Sequence, residues 1–370
     1  MKFVISKRLF NSILSVVSKA ISSTAPIPAL SGVKIEVYMD HIVFIGSDSN
    51  ISIKTEYPAS DDIVIDSEGD IVLDSKYILD IVRKIDGDKI TVETIDGTLI
   101  KISGTKAEFK LNGMRSSDYP PIQFDLENTA FTLDTKTLLD LVHQTSFACS
   151  DKETRPALTG VNLKASNFEL KANATDSYRL ALRKINLTND ENFDITIPAK
   201  ILNDVCNIIS ETDTINISIS ENKVFFITAN TIIRTAMIED AYPDVSKLIP
   251  PSFSQVLTIN AKELLDAVDR ASFIKSDGRP IVKMEISADG VDISSCNQEI
   301  GSSHERLVLS EYRGDPITIS CSGKYMSDAI KALRSEVISL SFSGELKPII
   351  LKSKEDENIV QLISPVRTYN

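Results

Sequence analysis

The side chains best able to do chemistry here are three histidines, four cysteines and a Thr-Asp-Ser triplet, and their spacing decides against most of that chemistry. His41, His143 and His304 stand far apart, with no metal-ligand spacing. Cys149, Cys206, Cys296 and Cys321 form no Cys-x-x-Cys pair, which argues against a zinc site and a disulfide framework and favours a reducing cytosol. There is no Walker phosphate loop and no Gly-x-Gly-x-x-Gly fingerprint, so an ATPase is not expected. Ser177 and Asp176 could join a remote histidine in a Ser-His-Asp site, but adjacent residues on a strand point to opposite faces. The expectation is a protein with no catalytic centre, metal or cofactor.

What remains is charge. Six segments with helical apolar spacing, Lys7 to Ala20, Lys76 to Lys84, Lys136 to Ser146, Lys200 to Ile209, Lys262 to Lys275 and Lys324 to Arg334, hold 14 Lys and Arg against 7 Asp and Glu. They carry +7 in a chain of net charge −12, which leaves −19 outside them. A pI near 4.9 would ordinarily argue against nucleic acid, because nonspecific binding rests on neutralising phosphates. Segregation reverses that argument. If the six helices face one concave surface, it attracts a polyanion while the acidic exterior repels it.

The elements that position these charges come in three copies. Pro28-Ala29-Leu30-Ser31-Gly32 returns as Pro156-Ala157-Leu158-Thr159-Gly160, and more loosely as Pro280-Ile281-Val282. Lys76, Lys200 and Lys324 each open an apolar helical pattern and are spaced 124 residues apart, while Tyr119-Pro120 and Tyr242-Pro243 close the first two copies. This period exceeds that of solenoids and propellers, so each copy is a domain with its own core: 1–124, 125–249 and 250–370. With 42% hydrophobic and 25% charged residues the chain reads as soluble and globular. No segment reads as a membrane span, and Lys7, Arg8 and Lys19 interrupt any signal-peptide core.

Each copy divides again into halves that run strand, helix, then several strands. In the first copy Lys2 to Ser6 is a short strand, and Leu9, Ile13, Val16, Val17 and Ala20 make one helical stripe. Val33 to Val37 and Ile51 to Lys54 alternate as half-buried antiparallel strands. Ile71-Val72-Leu73 then opens the second half, with a stripe of Ile78, Ile81, Val82 and Ile85 and an Asp96-Gly97 turn joining two further strands. The later helices are expected over Leu138 to Ser146, Ile201 to Ile209, Leu264 to Phe273 and Met326 to Leu333. The fold class is α+β, with two helices packed on antiparallel sheets in each copy. Ser47-Asp48-Ser49 corresponds to Thr175-Asp176-Ser177, so the acid is read as a strand-end turn. The next three residues differ, Asn50-Ile51-Ser52 against Tyr178-Arg179-Leu180, and mark the second copy's loop as functional.

Four stretches carry a family resemblance over the full length: Met1-Lys2-Phe3, Ile27-Pro28-Ala29-Leu30, Ala174-Thr175-Asp176-Ser177-Tyr178-Arg179-Leu180-Ala181, and Gln361-Leu362-Ile363-Ser364-Pro365-Val366-Arg367. On these the chain resembles the bacterial DNA polymerase III beta subunit, the DNA sliding clamp. The resemblance implies a head-to-tail homodimer whose six domains form a ring around duplex DNA, with twelve helices lining the hole. Its action would be topological: a closed ring tethers a polymerase while its basic lining makes weak, sequence-blind phosphate contacts. Candidates for that lining are Lys7, Arg8, Lys19, Arg83, Lys84, Lys152, Lys331 and Arg334.

The resemblance also implies an apolar cleft for short peptide motifs of the DNA polymerase III alpha subunit, the clamp loader, other polymerases and repair proteins. Carried over by motif it comprises Leu158, Thr175, Ser177, Tyr178, Arg179, Leu180, Pro243, Lys247, Leu248, Tyr325, Pro348, Ile363, Pro365, Val366 and Arg367. Leu and Pro walls accept apolar anchors, while Arg179 and Arg367 are expected to offer donors to the peptide. Phe109 and Leu111, on an edge strand, and Phe273 and Ile274, ending the first helix of the third copy, would meet across the dimer. A repeat scaffold that binds only proteins is the alternative; it predicts the cleft without the basic helices.

Overall fold

The computed structural model describes residues 1–22, 24, 27–48, 50–126, 130–209, 213–275 and 278–367. The first repeat runs β1 (Lys2–Ser6), α1 (Lys7–Val17), β2 (Gly32–Val37), β3 (His41–Ser47), β4 (Ile51–Pro58), β5 (Ile63–Ser67), β6 (Gly69–Asp74), α2 (Ser75–Lys84), β7 (Lys89–Asp96), β8 (Leu99–Ser103) and β9 (Glu108–Asn112). The second runs β10 (Phe131–Asp134), α3 (Thr135–Thr145), β11 (Gly160–Ser166), β12 (Glu169–Thr175), β13 (Arg179–Asn186), β14 (Phe193–Pro198), α4 (Ala199–Ile209), β15 (Thr214–Ile219), β16 (Lys223–Ile227) and β17 (Thr231–Ala236). The third runs β18 (Gln255–Asn260), α5 (Ala261–Ala271), β19 (Ile281–Ser287), β20 (Gly290–Asn297), β21 (Gly301–Leu307), β22 (Glu311–Arg313), β23 (Ile317–Ser322), α6 (Gly323–Leu333), β24 (Val337–Phe342), β25 (Ile349–Ser353) and β26 (Ile359–Ile363).

One device starts five of these helices: the last residue of a strand caps the helix after it, whereas α4 follows Pro198, which has no side-chain acceptor. Ser6, Asn260 and Ser322 accept the N–H three residues on, and Asp74 accepts from Lys76 and Tyr77. Asp134 likewise accepts from the Thr137 N–H at 2.9 Å. Each such cap stabilises its helix by about 0.5–2 kcal/mol relative to alanine. The strand-to-helix switch is therefore written at single positions.

The chain forms two compact bodies, Met1–Thr137 with Asp204–Met237, and Leu138–Asn203 with Ile238–Asn370. The first contains a five-stranded sheet, β5-β1-β7-β8-β9, and an eight-stranded sheet, β10-β15-β16-β17-β4-β3-β2-β6. Phe3, Phe10 and Phe44 form its aromatic core, with ring centroids 6.2 and 5.8 Å apart. The second contains a nine-stranded sheet, β14-β11-β12-β13-β26-β25-β24-β18-β22, and a four-stranded sheet, β21-β20-β19-β23. There α5 and α6 bury Leu264, Val268, Met326 and Ile330 against both sheets. The two helices meet so closely that a Cβ on Gly323 would sit 2.0 Å from Ser272 Oγ, which is why glycine opens α6.

Both large sheets are seams between repeats. β4 of the first repeat pairs antiparallel with β17 of the second, and β13 of the second pairs antiparallel with β26 of the third. In each seam the fourth strand of one repeat's first half meets the fourth strand of the next repeat's second half. By the same positions β9 and β21 are the two such strands left at sheet edges.

Several expectations need correction. The buried face of α1 is Phe10, Ile13, Leu14 and Val17, continued by Ala20, whereas Leu9 and Val16 are only half-buried. Its stripe is rotated because Phe10 fits between Phe3 and Phe44. The β7–β8 turn is Gly97-Thr98 rather than Asp96-Gly97, since Asp96 still pairs with Leu99 and Gly97 supplies φ +53°. α5 ends at Ala271, so Phe273 and Ile274 lie in the turn beyond it. Pro28–Ser31 and Pro156–Thr159 are 3-10 turns, but Pro280 leads directly into β19.

Candidate functional site

β12 ends in a turn that the sequence specifies almost atom by atom. Asp176 Oδ1 accepts the N–H groups of Tyr178 and Arg179 at 2.8 and 3.0 Å. Thr175 Oγ1 donates to the Arg179 carbonyl at 2.5 Å and accepts from the Ser177 N–H at 3.1 Å. Ser177 is thereby held at φ +79°, a left-handed conformation that costs a non-glycine residue about 1–2 kcal/mol, and Arg155 donates to its hydroxyl at 3.2 Å. Asp48 makes the same turn, accepting from Asn50 and Ile51, so the acid is structural in both repeats. Ser49 lies outside the described residues.

Arg179 departs from the expected role. Its side chain is 9% exposed, its Nε donates to Asp176 at 3.0 Å and its Nη1 to Asp328 at 2.8 Å. The guanidinium lies 4.4 Å from the Tyr325 ring centroid and 5.4 Å from that of Phe147. An arginine with two carboxylates and two rings around it is a post that fixes Tyr325, not a free donor at the cleft surface. Arg367, by contrast, is exposed.

The tail is strapped onto this turn. Arg179 and Leu180 pair with Ile363 and Leu362 across the β13–β26 seam. The Ser364 N–H then donates to the Tyr178 carbonyl, and the Val366 N–H to the Ser320 carbonyl, each at 2.8 Å. These bonds hold Pro365 and Val366 half-buried and carry Arg367 out to solvent.

The other cleft candidates sort by depth. Leu158, Thr175, Leu180 and Ile363 are buried; Tyr325, Pro348, Pro365 and Val366 are half-buried; Ser177, Tyr178, Pro243, Lys247, Leu248 and Arg367 are exposed. Tyr178 at 64% and Leu248 at 47% are the large apolar surfaces open to a ligand. Leu180 belongs to a buried cluster with Val245, Ile350, Val360 and Leu362, flanked by Leu182, Tyr242, Ile249 and Phe253. Except for Leu180, sequence reasoning missed this floor. A signal existed: Ile359-Val360-Gln361-Leu362-Ile363 is apolar on both faces of a strand, where the equivalent β17 carries Arg234 in place of Leu362.

Basic candidates divide into committed and free. Lys7 Nζ donates to the Ile85 carbonyl at 2.6 Å, Arg334 is paired with Asp140, and Lys331 and Lys84 lie 3.8 and 3.9 Å from Asp269 and Asp80. Among the described residues, Arg8, Lys19, Arg83 and Lys152 are exposed and enter no ion pair. Lys7, Arg8 and Arg83 share an open pocket at the start of α1 with Asn11, Asp62 and Asp88.

On the edge strand β9, Phe109 is 37% exposed and Leu111 half-buried, while Phe273 is 85% exposed and Ile274 half-buried. No helix among the described residues is long and apolar enough to cross a membrane.

Three family models match in succession: the N-terminal domain of the DNA polymerase III beta subunit over residues 1–123, its central domain over 132–244 and its C-terminal domain over 246–367. The beta sliding clamp of Bacillus subtilis is 39% identical and that of Staphylococcus aureus 36% identical, each covering all of both chains. The crystal structure of the Bacillus subtilis DNA polymerase sliding clamp superposes with a TM-score of 0.96, again over the whole of both chains. Three domain matches in order and full-length relatives at this identity show that the chain belongs to the bacterial DNA polymerase III beta subunit family, the beta sliding clamps.

Proposed function

We propose that two copies of this chain close head to tail into a ring around duplex DNA and act there as the processivity factor of the replicative polymerase. The observation that carries this reading is the pair of seams. A rule used twice within the chain, β4 with β17 and β13 with β26, leaves β9 and β21 as the strands that a second copy would join. Such joining removes two sheet edges per contact. The domains are taken as 1–124, 125–249 and 250–370, with Phe109, Leu111, Phe273 and Ile274 at the contact.

The helices supply the lining. Arg8, Lys19, Arg83 and Lys152 are proposed as the principal phosphate contacts, with Lys7, Lys84, Lys331 and Arg334 contributing as their internal partners allow. The groove over Leu180, Leu362 and Val360 is proposed as the docking site for short partner peptides of the polymerase III alpha subunit, the clamp loader and repair proteins. Tyr178, Leu248, Pro243, Pro348, Pro365 and Val366 form its walls, and Arg367 and Lys247 its charged rim. The protein works without catalysis, cofactor or metal, in the cytoplasm.

The test is retention on nicked circular DNA after incubation with a cognate clamp loader and ATP. Loss only when the circle is linearised means a topological link. Retention on linear DNA, or failure to load, overturns the ring.

A further inference from the structure

The chain builds the frame of the peptide groove twice. At the second seam Leu180 pairs with Leu362, which pairs in turn with Ile350. At the first seam Ser52 pairs with Arg234, which pairs in turn with Phe225. Ser52 follows the acid turn of Asp48 at the distance by which Leu180 follows that of Asp176, so the positions correspond. The segment after each preceding repeat also recurs: Tyr242 flanks the Leu180 cluster and Val245 belongs to it, while Tyr119 and Ile122 pack with Val43 and Ile45 of β3.

The side chains on the two frames are opposite in kind. Where the second seam has Leu180, Leu362 and Pro348, the first has Ser52, Arg234 and Lys223, and Asp125 stands in the place of Leu248. The first frame is nevertheless left open. A cavity of about 370 Å³ lies there, lined among others by Gln123, Asp125, Ser220, Glu221, Lys223 and Phe225, and its size is that of a small ligand site.

Three observations point to what it takes. Arg234 alternates with the buried Ile233 and Thr235, so it lies on the face turned away from the core; it is half-buried and donates to the Gln123 carbonyl at 3.3 Å. Among the described residues it enters no ion pair, and burial lowers its guanidinium from the usual arginine range. Lys223 is half-buried on the same face and likewise unpaired. Partly buried cations without a counter-charge are costly, and a carboxylate brought to them relieves that cost. The second observation is Ser220, which is 8% exposed and whose Oγ has no hydrogen-bond partner among the described residues. The third is the rim. Asp125 and Glu221 are exposed there, where they repel a run of acids and favour a base beside the anchor.

We propose that the first seam holds a second docking site, for a peptide segment that sets an acidic side chain on Arg234 and Lys223 and a basic one beside Asp125 and Glu221. The inference rests on the groove proposed above for its frame, and on this cavity's own side chains for its ligand. The two seams then select segments of opposite chemistry.

Saturation-transfer NMR detects weakly bound peptides directly. The probe is Ser-Gly-Asp-Arg-Gly-Ser in large excess over the full chain. Binding is expected to be roughly tenfold weaker for Ser-Gly-Asn-Arg-Gly-Ser, and for the original probe on Arg234→Leu, as for loss of one hydrogen bond to a charged group. Ser-Gly-Asp-Asp-Gly-Ser should also bind more weakly. Arg234→Lys should retain part of the binding, and Lys223→Gln repeats the test should Arg234→Leu fold poorly. Saturation with the polymerase III alpha-subunit peptide should leave the probe in place. Equal binding of the three probes, binding undiminished in both Arg234→Leu and Lys223→Gln, or no binding overturns the second site. Displacement by the alpha-subunit peptide also overturns it, because the probe then sits in the groove of the second seam. If the alpha-subunit peptide itself fails to bind the wild-type chain, the groove proposed above fails, and the probes still decide this site.

Discussion

Arg179 shows how a residue can carry a family motif and still do work other than contact. Removing its charge would leave Asp176 and Asp328 without their shared cation, and would take the flat guanidinium from beneath Tyr325. Arg179→Met is expected to destabilise the fold by about 2–3 kcal/mol, toward the low end for a buried ion pair because Asp328 is partly solvated. It should also weaken peptide binding. Arg367→Ala should leave stability within about 0.5 kcal/mol while weakening the same peptide. Urea midpoints and fluorescence anisotropy of a labelled partner peptide separate the two, and an unshifted midpoint for Arg179→Met would remove its structural role. Thiols give a second check at this scale. Burial pushes Cys149, Cys206 and Cys321 each up to about 12, whereas Cys296 is exposed. At pH 8 an alkylating reagent is expected to modify Cys296 alone in the native protein and all four thiols in denaturant; fast native labelling of any buried thiol would count against this packing. Sequence reading found the acid turn because Asp48 and Asp176 recur. It missed the role of Arg179 because Asp328 and Tyr325 are about 150 residues away along the chain.

Elements were legible where their signals are local. The helices follow from apolar spacing and, except at α4 behind Pro198, from caps that sit one residue before the start, as Asp74 does before α2. Which apolar face is buried was less legible, since α1 offers Leu9 and Val16 as well as Phe10 and Leu14, and only Phe3 and Phe44 choose between them. The seams were not legible at all. Ile53 and Ile233 pair across 180 residues, and nothing in either strand names the other. A loop that shapes the free edge gives the prediction at this scale. Asp86 Oδ2 and Oδ1 accept the Lys106 and Ala107 N–H groups at 2.8 and 2.9 Å, closing the turn between β8 and β9. These donors, Ala107 foremost, hold the Asp86 carboxyl below its usual range. A depressed carboxylate stabilises the fold above its ordinary value near 3.9, and the contribution is lost as pH falls through the lowered value. Asp86→Ala should therefore lower the unfolding midpoint at pH 7 and speed amide exchange along β9, with the midpoint gap to wild type closing below about pH 4. A gap that stays constant with pH would mean the carboxylate does not hold the hairpin.

At the scale of the whole molecule, DNA retention and partner binding should come apart, because they make different demands on assembly. Every residue proposed for the peptide groove, from Leu158 to Arg367, belongs to the body formed by Leu138–Asn203 and Ile238–Asn370, so one chain contains the complete groove. The proposed ring needs two contacts at once, each proposed to include Leu111 of β9. Leu111→Asp places an unpaired carboxylate at both contacts. At about 2–3 kcal/mol each, the ring should weaken by on the order of 10³- to 10⁴-fold. Sedimentation should then report a monomer at micromolar concentration, and loader-dependent retention on nicked circles should vanish. Anisotropy of a labelled partner peptide should give an affinity within about twofold of wild type, since the altered strand lies in the other body. Loss of peptide binding together with dimerisation would mean that the groove is completed by the second copy. Retention by a proven monomer would mean that the +7 of the helices holds DNA by charge alone, and raising the salt from 50 to 200 mM should then release it, because only a topological link outlasts the screening of phosphate contacts.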